Sequence, residues 1–84
     1  MFEWNKLKSE KNTAERGKGF EEAEKLLEGP FEPRYVDVNE EARTIIYGYL
    51  DGIEWIGVFA FGRRPPRVIS LRRANRRERA KHYG

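Results

Sequence analysis

Apolar positions follow two rhythms along this chain. Between Phe20 and Leu27 they recur every three to four residues, as Phe20, Ala23, Leu26 and Leu27. That is the stripe of an amphipathic helix facing a core, and it predicts a helix over about 20–28. Gly19 serves as a weak N-cap, Glu21, Glu22 and Glu24 sit where the helix dipole favours carboxylates, and Gly29-Pro30 stops the helix. An earlier helix over about 5–16 is predicted from Asn5 as its cap and Gly17 as its terminator. Its apolar content is thin, Leu7 and Ala14, so it is expected on the surface. Phe2-Glu3-Trp4 predicts a short strand before it.

From Arg34 the rhythm changes to alternation. Arg34–Val38 reads as a strand and Asn39-Glu40-Glu41 as a turn. Ala42–Leu50 reads as a second strand, with Ile45, Tyr47 and Tyr49 on one face and Thr44, Ile46 and Leu50 on the other. Asp51-Gly52 is a tight-turn signal. Ile53–Phe61 is apolar on both faces, which predicts a central strand. After the turn 62–66, Arg67–Arg72 pairs back. The sum is one domain, 1–84, of α+β class: two N-terminal helices, an antiparallel sheet of three to four strands, and a short basic C-terminal helix.

Composition narrows the function classes. There is no cysteine and a single histidine, so disulfides and thiolate metal sites are excluded and no metal-ligand spacing is present. No metal or cofactor is expected. No apolar run approaches the ~20 residues of a membrane helix, and no secretory signal is visible. A cytoplasmic protein with no membrane partner is expected. The net charge of +3 hides an asymmetry. Residues 1–42 hold seven Lys/Arg against eleven Asp/Glu, and residues 43–84 hold ten against three. That dipolar layout points to an anionic partner, the alternative being a heavily charged solvated surface.

The densest cationic stretch runs from Arg67 to Tyr83. Val68, Ile69 and Leu71 form a strand bracketed by Arg67 and Arg72, and Asn75 with Glu78 has the spacing of a capping box for the helix that follows. Planar, always-charged guanidinium groups at strand ends suit the grip of a phosphate. Strict alternation places Arg67 and Arg72 on opposite faces, so a bulge or an early strand end is needed for both to meet one phosphate. Glu78 is better explained as a cap than as a base. Trp55, Tyr47, Tyr49, Phe59 and Phe61 could stack bases but are expected mainly in the core.

Arg67, Ile69, Ser70, Arg72, Ala74, Glu78 and Arg79 form the pattern R-x-I-S-x-R-x-A-x-x-x-E-R. This resembles the C-terminal signature of BrnT-type toxins, the ribonuclease half of a bacterial type II toxin–antitoxin pair. Phe2-Glu3-Trp4-Asn5 resembles the family's opening F-x-W-D. Asn12, Gly17 and Phe20-Glu21-Glu22-Ala23 resemble its N-x-x-K-H-G-x-x-F-E-E-A. The resemblance implies a RelE-like fold and an endoribonuclease that inhibits translation by cutting RNA without a metal. It also implies a cognate antitoxin, commonly a DNA-binding protein that masks the active site and represses the operon, and leaves room for a homodimer within the complex. Where relatives carry Lys-His, this chain carries Glu15-Arg16: the imidazole is gone, a negative charge stands at the Lys position, and Arg16 preserves a cation.

In metal-free RNA cleavage the ribose 2′-OH attacks the adjacent phosphate, and cations must meet the developing charge on phosphorus. Arg67 and Arg72 are the leading candidates, with Arg43 on a neighbouring strand. His82, the sole imidazole, and Tyr83 are candidates for proton transfer, as RelE-like enzymes often place such a residue near the C-terminus. Arg16, Arg63, Arg64, Arg73, Arg76, Arg77, Arg79 and Lys81 read as RNA-steering groups that carry little sequence information. Two other readings stay open: a non-enzymatic RNA- or DNA-binding module, and a protein-interaction domain on the same scaffold.

Overall fold

The computed structural model describes residues 1–83, with side chains described through Arg79. Helix α1 spans Lys6–Arg16 and a 3₁₀ helix spans Phe20–Leu27. Strands β1 (Glu32–Val38), β2 (Glu41–Leu50), β3 (Ile53–Ala60) and β4 (Arg67–Arg73) follow, and helix α2 (Arg76–Tyr83) closes the order. The strands form one antiparallel sheet in the order β1-β2-β3-β4. This is the α+β architecture that the alternation predicts, with four strands and the apolar β3 inside the sheet.

Helix α1 begins and ends where its caps dictate. The Asn5 side chain accepts from the Lys8 amide at 3.0 Å, and Gly17 adopts φ 86° as the left-handed terminator. Its buried residues are polar, Ser9 and Asn12, whereas Leu7 is exposed. Both polar groups tie the helix down: Ser9 Oγ accepts from the Phe20 amide at 2.8 Å, and Asn12 Nδ2 donates to the Lys18 carbonyl at 2.8 Å. The helix is therefore held by hydrogen bonds to the next segment rather than by an apolar face.

The second predicted helix is present but is 3₁₀, not α. Its buried residues explain the difference. Phe20, Ala23 and Leu26 are each three apart, which is the repeat of a 3₁₀ turn and puts all three on one line. That line packs on Ile46, Leu50, Trp55, Phe59, Val68 and Leu71 to make the core, with Phe2, Trp4 and Leu27 around it. Close approach needs bare backbone beneath Leu26. A Cβ at Gly57 would lie 2.9 Å from Leu26 Cδ1 and 2.8 Å from Phe59 Cε1, and one at Gly48 would lie 3.2 Å from Leu26 Cδ2.

The two hairpin turns adopt positive φ at both central residues, Asn39 and Glu40 (51° and 64°) and Asp51 and Gly52 (54° and 76°). This is the turn sense that matches strand twist. Lys18 reaches the second turn and donates to Asp51 at 2.7 Å. At the opposite margin, Glu3 bridges the outer edge of β4 through backbone bonds to Pro66 and Val68, each 2.9 Å.

Two predictions test this packing. Gly57→Ala is expected to lower unfolding free energy by about 1–3 kcal/mol, because the added methyl overpacks the Leu26–Phe59 contact. Urea denaturation reads the loss, and an unchanged midpoint would mean the 3₁₀ helix floats freely above the sheet. The second concerns pH. The hydrogen bond from Lys18, helped by its charge, holds the Asp51 carboxyl below its ordinary value. A depressed carboxylate contributes stability above the unfolded-state pKa and loses it as pH falls through the folded value. The parent should therefore melt above Asp51→Asn at neutral pH, and the gap should close on acidification below the usual aspartate range.

Candidate functional site

Strand β4 carries one residue more than β3 can pair. Ser70 faces Val58 and Val68 faces Phe59, which leaves Ile69 as the extra residue of a bulge. The consequence is a change of face. Val68 and Leu71, three apart, are both buried in the core. Their neighbours Arg67 and Arg72 therefore both turn to the opposite surface of the sheet, away from the 3₁₀ helix.

On that surface the register lays the side chains out in rows. One row runs Tyr47 on β2, Ile56 on β3 and Arg72 on β4. The next holds Ile45, Val58 and Ser70. The last holds Arg67 opposite Ala60, with Arg43 one step beyond the Thr44–Phe59 pair. Arg43 and Arg67 stand two strand spacings apart, about 10 Å between backbones. Ala60 is the β3 residue between them. The structure thus joins Arg43 to Arg67 and separates both from Arg72 by four positions along β3, about 14 Å. The bulge puts the strand-end arginines on one surface, but at two places on it.

The Arg67 end is an open cleft of about 490 Å³ lined by Arg43, Arg63, Arg64, Arg67 and Glu41 around the small residues Ala42, Ala60 and Gly62. Its arginines meet two carboxylates. Glu3 pairs with Arg63 at 2.6 Å and with Arg67 at 3.3 Å, and Glu41 pairs with Arg43 at 2.8 Å. The Arg72 end has a cleft of about 390 Å³ between α1 and β4, lined by Glu15, Arg16, Arg72 and Arg73. It continues into a groove of about 300 Å³ along α1 that includes Lys8, Lys11, Ile69 and Ser70. The Glu15-Arg16 pair therefore lines a cleft with Arg72. Arg16 Nη1 donates to Asn12 Oδ1 at 2.8 Å.

Arg72 is already engaged. Its Nη1 and Nη2 donate to the two Glu78 oxygens at 2.8 and 2.6 Å, the two-pronged geometry that guanidinium also makes with phosphate. That hydrogen bonding raises the Arg72 pKa, burial lowers it, and the charges of Glu78 and Tyr47 raise it further. Glu78 does this while closing the capping box the sequence predicts: it accepts from the Asn75 amide at 2.8 Å, and Asn75 Oδ1 accepts from the Glu78 amide at 2.9 Å. Its second partner, Arg72, was invisible to a local spacing rule.

The other expected residues fall as follows. Arg76 and Arg77 are exposed in the first turn of α2, and Arg79 donates to the Ala74 carbonyl at 3.0 Å. Lys81, His82 and Tyr83 belong to α2, but their side chains lie outside the described residues. Trp55 and Phe59 are core, as expected. Tyr47, Tyr49 and Phe61 correct that expectation. Tyr47 is half-buried beside Ile56, Tyr49 is 37% exposed, and Phe61 is 42% exposed, stacked on Phe59 at 5.3 Å. The tyrosines belong to the arginine-bearing surface because β2 alternates. Among the described residues, no group of three His, Cys, Asp or Glu side chains could hold a metal ion. Among them, too, no helix is long and apolar enough to cross a membrane.

The sequence profile of BrnT, the ribonuclease toxin of type II toxin–antitoxin systems, matches residues 4–78. No curated protein and no solved structure matches the chain.

The cap can be separated from the ion pair. Asn75→Ala removes the side-chain acceptor at the helix start and is expected to cost α2 about 1 kcal/mol. Amide hydrogen exchange at residues 76–79 should speed up accordingly. Unchanged exchange would mean that the Arg72–Glu78 pair alone holds the helix.

Proposed function

The chain belongs to the BrnT family of ribonuclease toxins of type II toxin–antitoxin systems, and from that membership we propose that it is a metal-independent endoribonuclease whose scissile phosphate binds at the Arg43–Arg67 cleft. Membership brings an RNA substrate and an antitoxin partner. The observation that carries the assignment is the row Arg43–Ala60–Arg67. Two arginines on either side of Ala60 line one cleft, with Arg63 and Arg64 beside them. A phosphate entering there meets cations without displacing a two-pronged partner, unlike at Arg72.

The chemistry follows from that placement. A 2′-oxygen attacks phosphorus, its proton passes to a base, and the bond from phosphorus to the 5′-oxygen breaks as that oxygen takes a proton. The products are a 2′,3′-cyclic phosphate and a 5′-hydroxyl. Arg43 and Arg67 stabilise the charge on the phosphoryl oxygens, which is greatest in the transition state. His82 and Tyr83 are the proposed proton carriers. The surrounding arginines steer RNA by charge. Cutting RNA would inhibit translation in the cytoplasm. The cognate antitoxin, a DNA-binding protein in this reading, would neutralise the toxin by covering the cationic clefts with acidic segments. A homodimer within the complex belongs to the same proposal.

One observation favours a second reading. Glu15 places a carboxylate in the Arg72 cleft where relatives have a cation. A relative that binds RNA without cutting it would tolerate that change.

The deciding measurement is cleavage of RNA by purified protein in EDTA, beside Arg67→Ala. The parent is expected to cut and the variant to be slower by about 10²–10³-fold, the loss typical of removing one donor to a developing oxyanion. Equal rates would remove Arg67 from the site. Activity that needs added Mg²⁺ would end the metal-free mechanism. Salt-dependent binding with no cleavage, ribosomes included, would establish the second reading.

A further inference from the structure

The two arginine ends of β4 lie on one surface with an apolar floor between them. Row by row from Arg67 the floor is Ala60, then Val58 with Ile45 and Ser70, then Ile56 with Tyr47. Ile56 and Ala60 are buried while Ile45, Val58 and Tyr47 are half-buried, so the floor is only partly wet. Cations at both ends with an apolar middle match a chain of charges separated by ribose and base. The separation of about 14 Å sets how much of it. Six backbone bonds join successive phosphorus atoms, so an extended strand crosses that distance in about two nucleotide steps.

We propose that RNA lies along β4 as an extended single strand, with one phosphate at Arg43–Arg67 and the phosphate two steps away at Arg72, where Glu78 stands in for it until RNA arrives. The Arg72 end is a positioning subsite, not a second reaction centre. This extends the ribonuclease reading, on which it rests for the identity of the ligand. Glu78 fills the guanidinium fork with two oxygens at phosphate-like spacing. Exchange of one oxyanion for another preserves both hydrogen bonds to Arg72. Glu78 can leave Arg72 and still accept from the Asn75 amide, so the cap survives the exchange. Tyr47, in the same row as Arg72, places an aromatic residue beside the nucleotide proposed there. A duplex would not bring its base faces to this floor, which is why a single strand is specified.

Binding tests this without cleavage. The probes are 2′-O-methyl oligoribonucleotides of two to six nucleotides, which cannot be cut because the nucleophile is blocked. They are titrated into the whole chain in EDTA at low salt. A trinucleotide has two internal phosphates and cannot reach both ends; a tetranucleotide can. Affinity is expected to step up about tenfold between three and four nucleotides, the size of one charge-assisted contact. The step should vanish in Arg72→Ala and grow in Glu78→Gln, which keeps the capping bond but removes the competing charge. Circular dichroism checks that both variants fold.

A smooth rise with length, a step retained in folded Arg72→Ala, or weaker binding by Glu78→Gln would each overturn the subsite. Should Arg72→Ala not fold, Glu78→Gln decides alone. A Glu78→Gln variant that tightens on polyglutamate but not on RNA would assign Arg72 to a protein carboxylate and also overturn it. If RNA is cut in the parallel EDTA assay while the step is missing, the subsite falls and the ribonuclease reading stands. The reverse outcome, a step without cutting, keeps the subsite and retires the cleavage reading.

Discussion

Strand β4 has to satisfy two spacings that a regular strand cannot. Val68 and Leu71 are three apart and both belong in the core; Arg67 and Arg72 are five apart and both face the other surface. With a period of two, odd separations land on opposite faces. One unpaired residue, Ile69, repairs both parities at once. Without it, either Val68 or Leu71 would leave the core, at about 1.5–3 kcal/mol for a side chain of that kind, and one arginine would follow it to the wrong side. Packing and presentation of charge are thus the same constraint. The apolar pair fixes the bulge and the bulge aims the arginines. The Glu3 bridge then pins β4's outer edge just beside it.

Gathering arginines on one surface raises a second problem, since like charges repel at short range. The chain answers with carboxylates, one from a distant segment and two from close by in sequence. Glu3 lies before α1, Glu41 opens β2 and Glu78 lies in α2, and each meets an arginine within 3.3 Å. These are partly exposed pairs, so their contribution to stability is small and salt-sensitive. Their greater effect is on the free surface. They lower its net charge and hold the guanidinium groups in place. The two ends differ in how tightly this is done. Arg67 has one long contact shared with Arg63, whereas Arg72 has both prongs filled. An anion therefore replaces little at the first end and a matched carboxylate at the second.

Local signals in the sequence located most elements. Asn5 and Gly17 bounded α1, Asp51-Gly52 set a hairpin, and alternation in β2 sorted its two faces as observed. What failed was geometry that depends on a partner. The 3₁₀ form follows from how Phe20, Ala23 and Leu26 meet the sheet over Gly48 and Gly57, and a stripe spaced three to four cannot announce it. Tyr49 and Phe61 looked like core because they are aromatic, yet the first faces the arginine surface and the second lies just past β3. Arg67 and Arg72 were singled out as candidate phosphate ligands by chemistry. The requirement for a bulge was legible from their spacing, but its presence was not. That Arg43 would stand across Ala60 from Arg67 depends on register over three strands, which no single stretch encodes.

The departure at Glu15-Arg16 acquires meaning from the same register. These residues do not lie at a remote margin of α1; they line a cleft with Arg72 and Arg73. The pair puts a carboxylate and a guanidinium where the family resemblance implies an amine and an imidazole. A guanidinium stays protonated and cannot shuttle protons near neutral pH. Arg16 can then hold an anion but cannot serve as an acid or base there, and Glu15 weakens the local field for anions. In the proposed reading, RNA chemistry is conducted away from α1. The end where four arginines meet two carboxylates is the one built on Arg43 and Arg67, and in the proposed reading α1 and Arg72 orient the strand. That proposed division of labour is argued from charge and distance, and under it the change at α1 is compatible with activity.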